Sequence, residues 1–205
     1  MSSPEWVWEA TRGYLAVFYT FVALFYTVRI ITLQRSTQQA RVFHGTKGSI
    51  NWWHHKIFGV FRVLIWMICV WRLFVPSLDN WLGLFPVMHL PWLIVMGNLL
   101  LTLGFAWAIL SHFSLGHAWT SGVDENGQKP LVTQGVYSLS RNPIYLGVLT
   151  AQFGFMLALP SVFSVICFIV GVTTIVRQTQ VEESHLFEKY TEHYTNYCQV
   201  VRRWL

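Results

Sequence analysis

The stretch IYLGVLTAQFGFMLALPSVFSVICFIVGVTTIVR, Ile144 to Arg177, runs for 34 residues and carries a charge only at its last position. As one helix it would reach about 50 Å at 1.5 Å per residue, far beyond a hydrocarbon core of about 30 Å. The step LALPS, Leu157 to Ser161, divides it into two arms of roughly 17 residues, at the short end of what crosses a bilayer. A proline removes a helix hydrogen bond and crowds the preceding turn. The pattern predicts a tight helical hairpin inside a membrane.

Three further apolar runs lie upstream: Gly13 to Leu33, Ile57 to Val75 (stopped by Pro76) and Pro91 to Phe113, of 21, 19 and 23 residues. The expected fold is an all-α integral membrane protein of about five spans. Residues 1–113 hold the first three, and residues 114–205 hold a loop, the hairpin and a tail helix, all in one domain. Composition agrees, since only 11% of residues are charged and mean hydropathy is +0.43, against about 25% charge in soluble domains. Eleven Trp, eight Tyr and fifteen Phe suit membrane interfaces. The net charge of +5 comes from cations that flank apolar runs. They read as topology signals, so the expected partner is the lipid bilayer and not nucleic acid. Cys69, Cys167 and Cys198 form no CxxC pattern, so neither a disulfide framework nor a zinc site is expected. The start MSSPEWVWEATR has no basic segment of the kind that opens a cleavable signal. Arg29, Arg62 and Arg72 each lie within about a turn and a half of a span end, where snorkelling to the interface accounts for them.

Lys and Arg set the orientation. Arg35, Arg41, Lys47 and Lys56 occupy the first connection, Lys129 and Arg141 the third, and Arg177, Lys189, Arg202 and Arg203 the tail; the other side has Arg12. The N-terminus is expected outside and the C-terminus in the cytoplasm. Two crossings return the chain to the face it left. Arg141 and Glu182 should therefore meet at one membrane face, although 41 residues separate them.

SRNPIY, Ser140 to Tyr145, reads as a helix start, with Asn142 as N-cap, Pro143 at the first helical position and Tyr145 in an interface belt. Such a terminus carries partial positive charge and suits a carboxylate. QVEESHLFEKYTEHYTNY, Gln180 to Tyr197, reads as an amphipathic helix whose stripe is Leu186, Tyr190, Tyr194 and Tyr197, with Glu183 and Glu192 largely off it. Glu182 beside the helix start would let the pair grip the amino and carboxylate ends of one amino-acid-like ligand. His112 and His117 are five apart, off the helical zinc spacing of four, so no metal is expected. No GxGxxG follows a strand, so no Rossmann site is indicated.

From about Leu115 to Leu205 the chain resembles the isoprenylcysteine carboxyl methyltransferases, integral membrane enzymes related to the phospholipid N-methyltransferases. LVTQGVYSLSRNPIYLG, a hydrophobic hairpin and EESHLFEKYTEHYTNY follow the family order LVxxGxYxxxRHPxYxG, hairpin, EExxLxxxFGxxYxxY. The resemblance implies S-adenosylmethionine held between the loop, the hairpin and the tail helix. It implies a cofactor wall of Lys129, Pro130, Leu131, Val132 and Tyr137, continued by Asn142, Pro143, Ile144 and Tyr145, with Glu182 on the methionine amino end. Arg141 and Arg177 are the catalytic candidates, as residues that orient the acceptor, and Arg177 and Gln178 are its expected contacts. Three positions depart from the pattern. RHP is RNP, and an Asn can cap and donate but cannot act as a base near neutral pH. FG is Tyr190-Thr191, read as a mild change in a packing turn. The arginine four residues before the first motif glutamate is Gln178, with Arg177 one place earlier, about 100° around the helix.

The implied activity is methyl transfer from S-adenosylmethionine to a lipophilic or small acceptor with a carboxylate, thiol or amine nucleophile. A non-catalytic membrane scaffold of the same fold is the competing reading, favoured by Asn142 and Gln178.

Overall fold

The computed structural model describes residues 5–38, 42–43, 46–121 and 130–205. Five helices make up the fold: α1 Glu5–Thr37, α2 Ile50–Phe74, α3 Pro91–Leu115, α4 Pro143–Ala158 and α5 Val162–Val200. Their ends follow local chemistry. Ser49 caps α2 by accepting from the Trp52 amide, and Pro91 and Pro143 occupy the first positions of α3 and α4. Gly116, at φ 52°, ends α3. Ser161 opens α5 with a reciprocal capping box to Ser164.

Four helices are long and apolar enough to cross a membrane, namely α1, α2, α3 and α5. The protein is an all-α integral membrane protein. The remaining arm of the expected hairpin, α4, has 16 residues, about 24 Å of helix. That is short of the hydrocarbon thickness, and the chain compensates at the turn. Leu159, Pro160 and Ser161 are buried beneath the α2–α3 connection. The Phe85 amide donates to the Pro160 carbonyl at 2.9 Å, and Val162 and Phe163 donate back to Gly83 at 2.9 Å and Leu82 at 3.2 Å. The irregular backbone of the hairpin is thus satisfied by protein, as a membrane requires.

Two boundaries differ from expectation. Helix α1 starts at Glu5, not Gly13, because Trp8 and Arg12 have partners across the bundle. The tail is not separate from its start: α5 runs on without a break from Val162 to Tyr190, about 43 Å, so it must project past the membrane, and it kinks only at Thr191 before its last turns.

Helices α3 and α4 pack antiparallel, backbone against backbone. A Cβ on Gly104 would lie 2.4 Å from the Ala151 nitrogen, and one on Gly154 would lie 2.3 Å from the Leu101 nitrogen. Gly97 and Gly147 are equally closed in. Small residues allow this approach where no hydrophobic effect drives helices together. Gly104→Ala is expected to cost about 1–3 kcal/mol by overpacking, read as a lowered melting temperature in detergent. Gly13→Ala, with nothing within 4 Å of its Cβ, is the control and should be neutral or slightly stabilising, since Ala favours a helix more than Gly.

The end of the bundle that holds the α2–α3 connection carries a buried ion cluster. Asp79 is 6% exposed and Arg72 1% exposed. Arg72 Nε and Arg12 Nη2 pair with the two Asp79 oxygens, the second at 2.9 Å. Trp8 Nε1 donates to the same carboxylate at 3.1 Å, and the Arg72 guanidinium lies over the Trp8 ring. Snorkelling therefore does not describe Arg72, because a carboxylate in the connection draws it inward. Arg29 is also engaged, donating to the His112 and Gly116 carbonyls at the end of α3. Arg62 faces the ring of Tyr26.

Candidate methyl-transfer site

At the opposite end, the start of α4 meets the middle of α5. Tyr145 OH donates to Glu182 Oε1 at 2.6 Å, and Gln178 Nε2, one turn before Glu182, donates to the same oxygen at 3.0 Å. Both bonds reach one oxygen of the carboxylate, and among the described residues no cation pairs with it. Burial raises the Glu182 carboxyl above its ordinary value, and the two hydrogen bonds pull it partly back. Glu182 lies six residues beyond Val176, in the part of α5 that projects past the apolar run.

The neighbouring Glu183 has the opposite environment. Arg203 contributes Nη2 at 2.8 Å and Nε at 3.0 Å, Asn142 contributes Nδ2 at 2.9 Å, and Arg141 Nη2 stands 3.4 Å away. The C-terminal segment closes this group. Arg141 N donates to the Arg202 carbonyl at 3.0 Å, and Ser140 Oγ and Asn142 Nδ2 donate to the Arg203 carbonyl at 3.2 and 3.3 Å. Asn142 stands at the N-cap position, but its side chain makes no cap hydrogen bond. The expectation of a capping Asn is corrected: a carboxylate already paired with cations is the stronger acceptor, and it turns the amide away from the helix amides.

A cavity of about 580 Å³ begins at these groups and continues into the apolar part of the bundle. Its polar end includes Tyr137, Arg141, Asn142, Tyr145, Gln178 and Glu182, with Pro130, Leu131, Val132 and Ile144 along one side. Its other end is lined by Phe18, Val22, Ile65, Leu101, Phe105 and Ala151. Tyr137 lies in a short 3-10 turn, Gly135–Ser138, and Tyr197 OH donates to its carbonyl. Burial, then the charge of Glu182, pushes the Tyr137 phenol well above its ordinary value, so it stays a neutral hydroxyl.

The structure brings together Pro130, Leu131, Val132, Tyr137, Arg141, Asn142, Ile144, Tyr145, Gln178 and Glu182. Pro143 is buried beneath them and does not line the cavity. Arg177 is exposed and does not line it either; one step of helix turns it away while Gln178 points inward. Lys129 falls outside the described residues. Sequence reasoning missed Glu183, Arg203 and Ser140, because their meeting depends on the C-terminal residues folding back. Gln178 and Glu182, four apart, did carry a signal, since that spacing puts them on one helix face.

The tyrosine stripe turns inward. Tyr194 and Tyr197 are buried with Val201, with Leu131, Leu186 and Tyr190 packed against them. A kink makes this possible: Thr191 has φ 35° and ψ −96°, a conformation β-branched residues avoid. The change from glycine in the motif to Thr191 is therefore strained and not mild. Thr191→Gly is expected to stabilise by about 1–3 kcal/mol, read as a higher melting temperature with unchanged ligand affinity.

Among the described residues, no group of three or more His, Cys, Asp or Glu gathers to hold a metal. The phospholipid methyltransferase family matches residues 92–193, from the start of α3 to just past the Thr191 kink. No curated protein and no solved structure matches the chain. The match falls on the relatives of the isoprenylcysteine enzymes that the motifs first suggested, and the two groups share membrane methyl transfer. Over residues 92–193, which carry α3, α4 and the Glu182 face of α5, the chain is similar to the phospholipid methyltransferases and so to the membrane methyltransferase superfamily.

Proposed function

We propose that this protein is an S-adenosylmethionine-dependent membrane methyltransferase. One observation carries the reading. Glu182 is a carboxylate with two neutral donors and, among the described residues, no paired cation, at the polar end of a cavity whose far end is apolar. A carboxylate held away from water needs a positive partner, and the ammonium of a methionine-type ligand supplies one. Its cationic sulfonium supplies the methyl group to an incoming nucleophile.

The chain's own residues then bind, orient and exclude water. Tyr145 and Gln178 fix the Glu182 carboxylate from two sides. Leu131, Val132 and Ile144 offer apolar surface for the rest of the ligand, and Tyr137 offers a hydroxyl that does not ionise. Glu183, itself gripped by Arg203, holds Arg141 and Asn142 in place directly. With no oxyanion to stabilise, the site contributes chiefly by holding nucleophile and methyl in line, about 3–3.5 Å apart. The apolar half of the cavity suits a lipophilic acceptor entering from the bilayer.

We place the Glu182 end in the cytoplasm. Arg35, Lys47, Lys56, Arg177, Lys189 and Arg202 lie toward that end, whereas Arg12 and Arg72 at the other are neutralised in part by Asp79. The test is calorimetry of the purified protein with S-adenosylhomocysteine. Saturable binding with one site per chain is expected, and no binding overturns the reading. Binding without methyl transfer to any carboxylate, thiol or amine amphiphile would favour the scaffold.

A further inference from the structure

Arg62 is the unusual cation of the cavity. It lies twelve residues into α2, about 18 Å along the helix, and five residues inside the apolar run that begins at Ile57. A cation at that depth is expected to reach for the interface or to face a water-filled site. Here the guanidinium carbon lies 5.3 Å from the centre of the Tyr26 ring, and both residues line the cavity. Among the described residues Arg62 makes no ion pair.

The other charges of the cavity are already engaged. Arg141 is held by Glu183, and Lys189 lies over the Tyr190 ring on the tail. Glu182 is the single acid among the lining residues and, on the reading above, is used by the methyl donor. Gln178, the residue expected to meet the acceptor, donates to Glu182. Among the described residues the acceptor half thus retains one cation without a counter-ion, in a wall that also includes the apolar side chains of Val22, Phe58 and Trp66.

Resting on the methyltransferase reading, we propose that Arg62 anchors the acidic head of an amphiphilic acceptor, whose chain lies along the apolar wall. A guanidinium forks onto two oxygens of a carboxylate or phosphate alike, so the shared chemistry is an oxyanion on a single apolar chain. The Tyr26 ring holds the guanidinium toward the cavity by its face, leaving the N–H edges for the ligand.

The experiment compares ligands of one chain length in neutral detergent: laurate, dodecyl phosphate and dodecanol, titrated calorimetrically with S-adenosylhomocysteine saturating. The wild type should bind at least one acid about ten-fold more tightly than the alcohol, the scale of a charge-assisted hydrogen bond. The preferred acid identifies the head group. Arg62→Gln should erase the preference while leaving S-adenosylhomocysteine affinity unchanged. Arg62→Lys should retain part of it. Tyr26→Phe, which keeps the ring, should retain more than Tyr26→Leu. Equal binding of acids and alcohol by the wild type overturns the proposal, as does an Arg62→Gln protein that keeps the preference. If Arg62→Gln does not fold, the wild-type comparison and Arg62→Lys still decide. Loss of S-adenosylhomocysteine binding with the acid preference intact would sink the methyltransferase reading but leave an acid-binding Arg62.

Discussion

Glu182→Gln is expected to weaken S-adenosylhomocysteine binding by about 100-fold or more, the usual scale for removing one partner of a buried charge pair. The substitution keeps the shape and the acceptor for Tyr145 and Gln178 but removes the charge an ammonium needs. A role confined to packing would leave the affinity within a few-fold, and calorimetry separates the outcomes. Affinity in the wild type should also rise with pH as the carboxyl ionises, through a range set above the ordinary glutamate value because burial raises it. The variant should lose that dependence. Stability has the opposite sign. A carboxyl raised in the folded state stabilises the free protein below its unfolded value, and the contribution is lost as pH rises through the folded one. Saturating ligand should remove that loss, because its ammonium compensates the charge. Melting temperatures across the same range, with and without ligand, check the sign.

Asp79→Asn is expected to destabilise the fold by about 3–5 kcal/mol, the usual consequence of leaving buried cations unmatched. Arg72 is almost wholly enclosed, and Arg12 shares the same carboxylate. Without that charge, two guanidiniums face each other across a neutral amide. The side chain ties α1, α2 and the α2–α3 connection together, and that connection also covers the hairpin turn. A large fall in melting temperature in detergent is the readout. Near-native stability would mean that water or lipid compensates the arginines. Burial alone would raise the Asp79 carboxyl, but hydrogen bonds and charge from Arg72 and Arg12 bring it below its ordinary value. Its contribution is therefore present above the unfolded value near about 4 and is lost as pH falls through the lowered folded one. S-adenosylhomocysteine affinity at low temperature should be unaffected, since Glu182 sits at the other end of the bundle.

The hairpin was legible because its signals are local. An apolar run too long for one crossing, a proline at its centre and a serine cap after it leave few options. That Arg141 and Glu182 share one face was legible at one remove, since two crossings must return the chain to the face it left; the Tyr145–Glu182 hydrogen bond was not. The role of Asn142 was not. Its position favours capping, and only the nearby Glu183, with Arg203 folded back onto it, turns the amide away. Arg72 was misread for the same reason: a snorkelling arginine and one drawn to Asp79 look alike along the chain. The glycines on α3 and α4 were visible as letters, yet nothing local says that two backbones meet there.

What the chain determined by itself is its class, its hairpin and the end of the bundle that bears the motif residues, because hydrophobic length, periodicity and caps act within one helix. Tertiary structure alone decided which glutamate is paired with arginines, which arginines are neutralised and where the apolar cavity runs. Those outcomes depend on which groups from distant segments come within hydrogen-bonding distance, and that is set by how closely the helices approach.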